Sequence, residues 1–306
     1  MASATCSTLW LERLGKLHPD PAKKKLGRGL APHKPLLLLV LLDLAEEGHL
    51  KSPAVELTAE LAFRFGTYWK VVAERRRTKP EVRLPFFHLK TSGFWQPYDS
   101  DARPAQARST ATLAKLDESF FACLLDSEFR RLARRKLVAK WFDGAAERVA
   151  LYTMLGITVP SMDSAEADAK LGEAAQARER GREARFRNIV VTAYEFTCAL
   201  TGYRVNLIGE SLVEAAHIHQ FKRDGSNEPQ NGIALSKNAH WLFDRGLWSL
   251  TDDYRVIVTN ADFEEAGPEA FLLRAMKDKR ILLPALSHLR PDPRRLAWHR
   301  EQVLLK

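Results

Sequence analysis

Three features predict an α+β protein with a mostly helical N-terminal domain. Residues 36–42 form an unbroken apolar run just behind Pro35, as a buried helix would. Residues 160–185 are largely Ala, Glu, Arg and Lys with almost no large apolar side chain, so they cannot build a core. Beyond them a strand-like stretch holds His217, a polar loop holds Asn231, and a helix is expected to start near His240. With 306 residues the chain can bury two cores. The boundaries read as a first domain at 1–158, a charged helical linker at 159–185 and a second domain at 186–306. Hydrophobic residues at 45% and charged residues at 28% exclude collagen-like, coiled-coil and wholly disordered classes.

The first clear element is a helix opening at Pro35 and ending before Gly48, apolar on every side and therefore central to its domain. Three basic clusters share that domain. Lys23, Lys24, Lys25 and Arg28 lie beside Gly27 and Gly29, where backbone can approach phosphate. Arg75, Arg76, Arg77, Lys79 and Arg83 follow between Lys70 and Lys90. Arg130, Arg131, Arg134, Arg135, Lys136 and Lys140 recur at helical spacing with Leu132, Leu137 and Trp141 between them. One such helix face is often just solvated, but three clusters in one domain point to phosphate contact. At the other end, residues 293–306 read as a docking helix carrying Leu296, Trp298, Val303 and Leu304, seated on its own domain or on a second subunit.

The net charge of +9 favours a polyanionic partner, nucleic acid ahead of an anionic membrane. The run at 36–42 is far short of the roughly 18 residues of a spanning helix. The start Met-Ala-Ser-Ala-Thr-Cys lacks the basic and apolar regions of a secretory signal, so the expected location is cytoplasmic, with no membrane partner. Cys6, Cys123 and Cys198 support neither a disulfide framework nor a four-cysteine zinc site. Free thiols and no structural zinc are expected.

Chemistry concentrates between Thr197 and Leu250. His217 precedes Asn231 by 14 residues, and Asn231 precedes His240 by 9. Around them stand Ala215-Ala216-His217-Ile218, Asn231-Gly232-Ile233-Ala234-Leu235 and His240-Trp241-Leu242-Phe243-Asp244-Arg245-Gly246. This order and spacing resemble the HNH endonucleases whose motifs read AAHI, NGxxL and HxxFDxG. The resemblance implies a β-hairpin and helix around one divalent metal, with His217, Asn231 and His240 as the catalytic set.

Each residue type suits such a role. His217 titrates near neutrality and can take a proton from water. His240 and Asp244, four apart on a helix, share a face and could hold a divalent cation or the phosphate it binds. Asp244 could instead pair with Arg245 or cap the turn before Gly246. Asn231 reads as a hydrogen-bonding brace across the loop that aims His217. His219, two residues on, falls on the same strand face as His217 and could be a metal ligand, a DNA contact or a solvated side chain.

Two departures from the HNH pattern matter. Ala216 stands where many members place a metal ligand, so that ligand must come from elsewhere, with His219 and Glu214 as candidates. Only Cys198 remains of the two cysteine pairs that staple other members around zinc. Phe196, Leu200, Leu212, Phe221, Leu242, Phe243, Leu247 and Trp248 would supply the packing instead.

The first domain also carries a resemblance. Gly29-Leu30-Ala31-Pro32-His33-Lys34-Pro35-Leu36-Leu37-Leu38-Leu39, Arg83-Leu84-Pro85-Phe86-Phe87-His88-Leu89 and Gly93-Phe94-Trp95 resemble the sulfur-binding domain of phosphorothioate-dependent type IV restriction endonucleases. Members build a pocket from a proline, an aromatic neighbour and a small residue three positions later. The matching positions are Pro85, Leu84 and His88, so an aliphatic replaces the aromatic and an imidazole the small residue. His33 and Lys34 match DNA-contact positions; Arg28 and Arg83 are added by charge and proximity. The other reading of 84–89 is a buried strand or helix edge.

The expected function is a modification-dependent DNA endonuclease that binds phosphorothioated double-stranded DNA through 1–158 and cuts it with 186–306. It would use one divalent ion per HNH site, Mg or Mn first, with Co, Ni or Zn compatible. The alternatives are an HNH nuclease for another modification such as 5-methylcytosine, or for unmodified DNA, and a non-catalytic DNA-binding protein. Cutting both strands calls for two active sites, which a homodimer would supply.

Overall fold

The computed structural model describes residues 4–17, 31–72, 80–159, 171–220 and 226–306. It is α+β and divides into two compact units, Met1–Ala184 with Ile208–Glu210, and Arg185–Leu207 with Ser211–Lys306.

In the first unit the order is α1 (Ala4–Leu14), α2 (His33–Glu46), β1 (Ala54–Glu56), α3 (Ala59–Val72), α4 (Arg83–His88), β2 (Trp95–Tyr98), β3 (Leu113–Leu116), α5 (Glu118–Leu124), α6 (Ser127–Trp141) and α7 (Ala145–Met154). The strands form an antiparallel sheet ordered β1-β3-β2. Helix α2 opens two residues before Pro35 and ends before Gly48, whose φ of +73° suits the chain reversal there. Its residues 36–42 are all at most 2% exposed, packed among α3, α4 and α6. Side chains of Asp117 and Asp126 accept the first backbone N–H groups of α5 and α6.

The third basic cluster lies on α6, and the structure gives part of it to packing rather than to phosphate. Arg130 is buried and donates to Glu46 at 2.5 Å and to the Leu124 carbonyl. Arg134 donates to Asp43, Glu46 and the Leu42 carbonyl, and Arg131 pairs with Glu128. Arg130 and Arg134 thus bind α6 to α2. Tyr68 from α3 donates to the same Asp43 at 2.6 Å. Burial pushes the Asp43 carboxyl up and the Arg134 charge opposes that shift. Cys6, Cys123 and Cys198 are free thiols, with the first two sulfurs 3.7 Å apart.

Helix α8 (Leu171–Ala193) runs beyond the expected end of the linker at 185, and its last turns belong to the second unit. There follow a short pair, β4 (Asn206–Leu207) and β5 (Glu210–Ser211), then β6 (Val213–His217), β7 (Gly232–Ser236), α9 (Lys237–Asp244), β8 (Trp248–Leu250), β9 (Val256–Val258) and α10 (Pro293–Gln302). Strands β6 and β7 are antiparallel, with Val213 opposite Ser236 and His217 opposite Gly232. Ser236 caps α9 directly, so hairpin and helix form one ββα block.

Phe243 and Trp248 are fully buried and Phe196 nearly so; Leu200, Leu212, Leu242 and Leu247 are half-buried. Phe221 lies outside the described residues. The C-terminal stretch docks on its own domain. Leu296 and His299 are buried against β8, Ser249 Oγ lies 2.9 Å from His299 Nδ1, and the Leu305 N–H donates to the Gly246 carbonyl. Gly246 has φ +70°, and a Cβ there would meet the Leu305 nitrogen at 3.0 Å. Among the described residues no helix is long and apolar enough to cross a membrane.

Candidate active site

Strand β6 ends at His217, and the chain between it and β7 is closed by Asn231. This side chain is fully buried. Its Oδ1 accepts the His219 N–H at 2.8 Å, while Nδ2 donates to the carbonyls of His219 at 2.9 Å and Ser226 at 2.8 Å. The Asn231 carbonyl also accepts the Ile218 N–H at 2.9 Å. Only a carboxamide offers acceptor and donors together for such a clamp. Its role is to hold the loop that follows His217.

His217 is oriented from two sides. Its Nε2 donates to Asn227 Oδ1 at 2.9 Å, which leaves Nδ1 as the basic nitrogen. Its ring stacks on Phe186 of α8, with centroids 4.1 Å apart and planes 9° from parallel. Gly232, opposite His217, admits this packing: a Cβ there would lie 2.9 Å from the Phe186 ring.

His240 sits on α9 between two carboxylates. Its Nδ1 is 2.9 Å from Glu214 Oε1, and its Nε2 is 3.4 Å from Asp244 Oδ2. Donation from Nδ1 to Glu214 leaves Nε2 basic and turned toward Asp244, the arrangement by which a carboxylate orients a metal-binding histidine. Burial pushes the Asp244 carboxyl up; His240 opposes this, Glu214 adds to it, and His217 and Arg245 oppose it further. These groups therefore form one electrostatic cluster. Arg187, next to Phe186, is pushed down by burial and drawn up by Glu214.

A single-ion site fits this donor set. The spacing of His240 Nε2 and Asp244 Oδ2 is close to that of neighbouring ligands on one cation, and imidazole with carboxylate suits Mg, Mn, Co, Ni or Zn. Magnesium commonly uses one or two carboxylates and fills its other positions with water and substrate phosphate. Among the described residues, the group of three potential ligand atoms within 4.8 Å of one another is Glu47, His49 and Glu60 in the first unit. There the buried Arg64 guanidinium pairs with both carboxylates, so their charge is already met.

The structure thus brings His240 and Asp244 together and places Glu214, rather than His219, on the other side of the imidazole. His219 stacks instead on Trp298 of α10, with centroids 3.8 Å apart. The same-face reasoning fails for it because β6 ends at His217 and residues 218–219 bend. Sequence reasoning missed Asn227, Phe186 and Trp298. Asn227 stood in the polar loop beside Asn231, whereas no local signal joins Phe186 to a histidine 31 residues later.

In the first unit, Arg28, Arg75, Arg76, Arg77 and Lys79 lie outside the described residues. His33 is 7% exposed, its ring 4.7 Å from that of Trp69, so it offers little surface to a ligand. Lys34 donates to Thr91 Oγ1 at 2.9 Å and is pushed down by burial. Arg83 donates to the Ser109 and Ala111 carbonyls. On α4, Pro85 is buried, Leu84 half-buried and His88 exposed, and Thr91 donates to the His88 carbonyl.

The family model described as HNH endonuclease matches residues 198–251. Among solved structures, a chain titled "Modification dependent TagI restriction endonuclease" is similar, at 20% sequence identity and a TM-score of 0.32. That match covers 39% of this chain and 38% of the other, so this chain spans well under two thirds of that protein. No curated protein sequence matches the chain.

Proposed function

We propose that this chain, which carries an HNH endonuclease domain, is a metal-dependent DNA endonuclease directed to phosphorothioated DNA, with His217 as general base. The observation that carries the nuclease reading is the meeting, on one ββα block, of an oriented His217 with the Glu214–His240–Asp244 chain. His217 takes a proton from water as that water attacks phosphorus; the bond from phosphorus to the 3′ oxygen then breaks. Asn227 and Phe186 hold the imidazole so that its basic nitrogen has one direction. A divalent cation held by His240 and Asp244 would neutralise charge on the phosphate and the departing oxygen. Glu214 acts through His240 by fixing its tautomer.

An HNH block grips backbone and reads few bases, so selectivity falls to the first unit. The support for sulfur as its target is the resemblance of its motifs to sulfur-binding domains. A phosphorothioate sulfur is larger and less hydrated than oxygen and favours an apolar surface near cations. Leu84 and His88, four apart on α4, are the accessible members of the motif, with Lys34 reaching Thr91 beside them. The test is cleavage of two plasmids identical except for phosphorothioation, with Mg or Mn at stated salt. Cutting confined to the modified plasmid is expected. Equal cutting of both removes the sulfur reading and leaves the nuclease; no cutting of either removes the nuclease.

A further inference from the structure

All seven tryptophans of the chain lie among the described residues. Trp10, Trp69, Trp95, Trp141 and Trp248 are buried, and the half-buried Trp298 stacks on His219. Trp241 alone is exposed, at 57%. It lies on the outer side of α9, whose inner side buries Ala239 and Phe243, so packing does not account for an indole there. A single exposed apolar residue would ordinarily need no explanation. Here its surroundings supply one.

Lys237, Trp241 and Arg245 are spaced by four and are all exposed, so they form one row along α9. The adjacent row is His240 and Asp244. The Arg245 guanidinium stands 5.6 Å from the Trp241 ring centroid, within range of a cation–π contact. Among the described residues neither Lys237 nor Arg245 forms an ion pair within 4.0 Å, although the Arg245 charge is felt by the neighbouring Asp244 carboxylate. An aromatic plate flanked by two exposed cations is what a nucleic-acid strand meets in stacking-type recognition: the ring takes a base face and the cations take phosphates.

We propose that the Lys237–Trp241–Arg245 row seats the DNA strand beside the cut, with Trp241 stacking on an unstacked nucleobase next to the scissile phosphate. This rests on the nuclease reading of the neighbouring row and narrows its substrate to DNA with a base displaced at the cut site. An intact duplex must lose a base stack to present that face, so a bulged or mismatched duplex is the better ligand.

The experiment measures binding with metal chelated, using a short duplex and the same duplex carrying one extrahelical thymine. The full-length protein should bind the bulged duplex about tenfold tighter, with quenching of its tryptophan emission. Trp241→Phe should keep the preference and lose the quenching; Trp241→Ala should lose both while melting at the wild-type temperature. Lys237→Ala and Arg245→Ala should each lower the salt dependence by roughly one phosphate contact. Quenching that survives in Trp241→Phe, a preference that survives in Trp241→Ala, or no binding at all overturns the proposal. Parallel cleavage of phosphorothioated plasmid with Mn separates the two readings. Binding and quenching without cutting refutes the nuclease and leaves the stacking row, whereas cutting with an unaltered Trp241→Ala preference refutes the row alone.

Discussion

Phe186 lies face to face with His217 at 4.1 Å, so the helix that begins in the charged linker ends as a wall of the candidate active site. The contact is tight on its far side as well, because Gly232 leaves no room for a methyl group between β7 and the Phe186 ring.

Gly232→Ala, whose methyl group would clash first with Val190 Cγ2 and then with the Phe186 ring, should therefore displace both side chains, and with Phe186 the stacked His217. The expected loss is about 1–3 kcal/mol of stability, the usual range for overpacking. It should be accompanied by a fall in kcat of about tenfold at little-changed KM. Denaturant unfolding and steady-state cleavage check the two parts separately.

Asn231→Ala removes a buried side chain that makes three hydrogen bonds to backbone. It should cost roughly 3 kcal/mol, because the His219 and Ser226 backbone groups lose their partner. Asn231→Asp should not rescue it, since a carboxylate has no donor for the two carbonyls. Urea denaturation of both variants measures this.

Glu214→Ala should weaken Mn binding by about 10–100-fold, the range for losing a carboxylate that orients a metal-binding histidine. Glu214→Gln should recover part of it by still accepting from His240 Nδ1. Titration calorimetry with Mn distinguishes orientation from direct ligation: equal loss in both variants would point to a charged ligand.

Acid should destabilise the second unit through His299. The ring is 1% exposed and stacked at 3.7 Å on Phe243, and burial pushes it down to about 4. Its folded pKa lies below the ordinary histidine value of 6.5, so the unfolded chain binds the extra proton first. Stability is complete above pH 6.5 and falls as the pH drops toward 4, by roughly 3 kcal/mol at most from this group. In His299→Phe that part of the slope should disappear, as measured by thermal unfolding in metal-free buffer.

What could be read from the sequence was whatever rests on local pattern. The seven apolar residues of α2 named the centre of the first unit because no amphipathic alternative fits them. The four-residue spacing of His240 and Asp244 placed them on one helical turn, where they are found. Long-range choices were not legible. Arg130 and Arg134 looked like solvent-facing or phosphate-seeking charges, but Glu46 and Asp43 of α2 take them, and helical spacing cannot show which face a distant carboxylate occupies. His219 was assigned by strand periodicity, which stopped applying two residues earlier when β6 ended. The docking of residues 293–306 on their own domain was one of two open outcomes, decided by the Gly246 and His299 contacts that only the fold assembles.

The central claim is that His217 is the base of a metal-dependent nuclease. It is tested most directly by incubating phosphorothioated supercoiled plasmid and Mn with the wild-type protein and with His217→Ala, while measuring DNA binding by each. The account predicts nicked or linear product from the wild type, and from His217→Ala unchanged binding with cleavage reduced by at least about 100-fold. A correctly folded His217→Ala protein that cuts at the wild-type rate would contradict it.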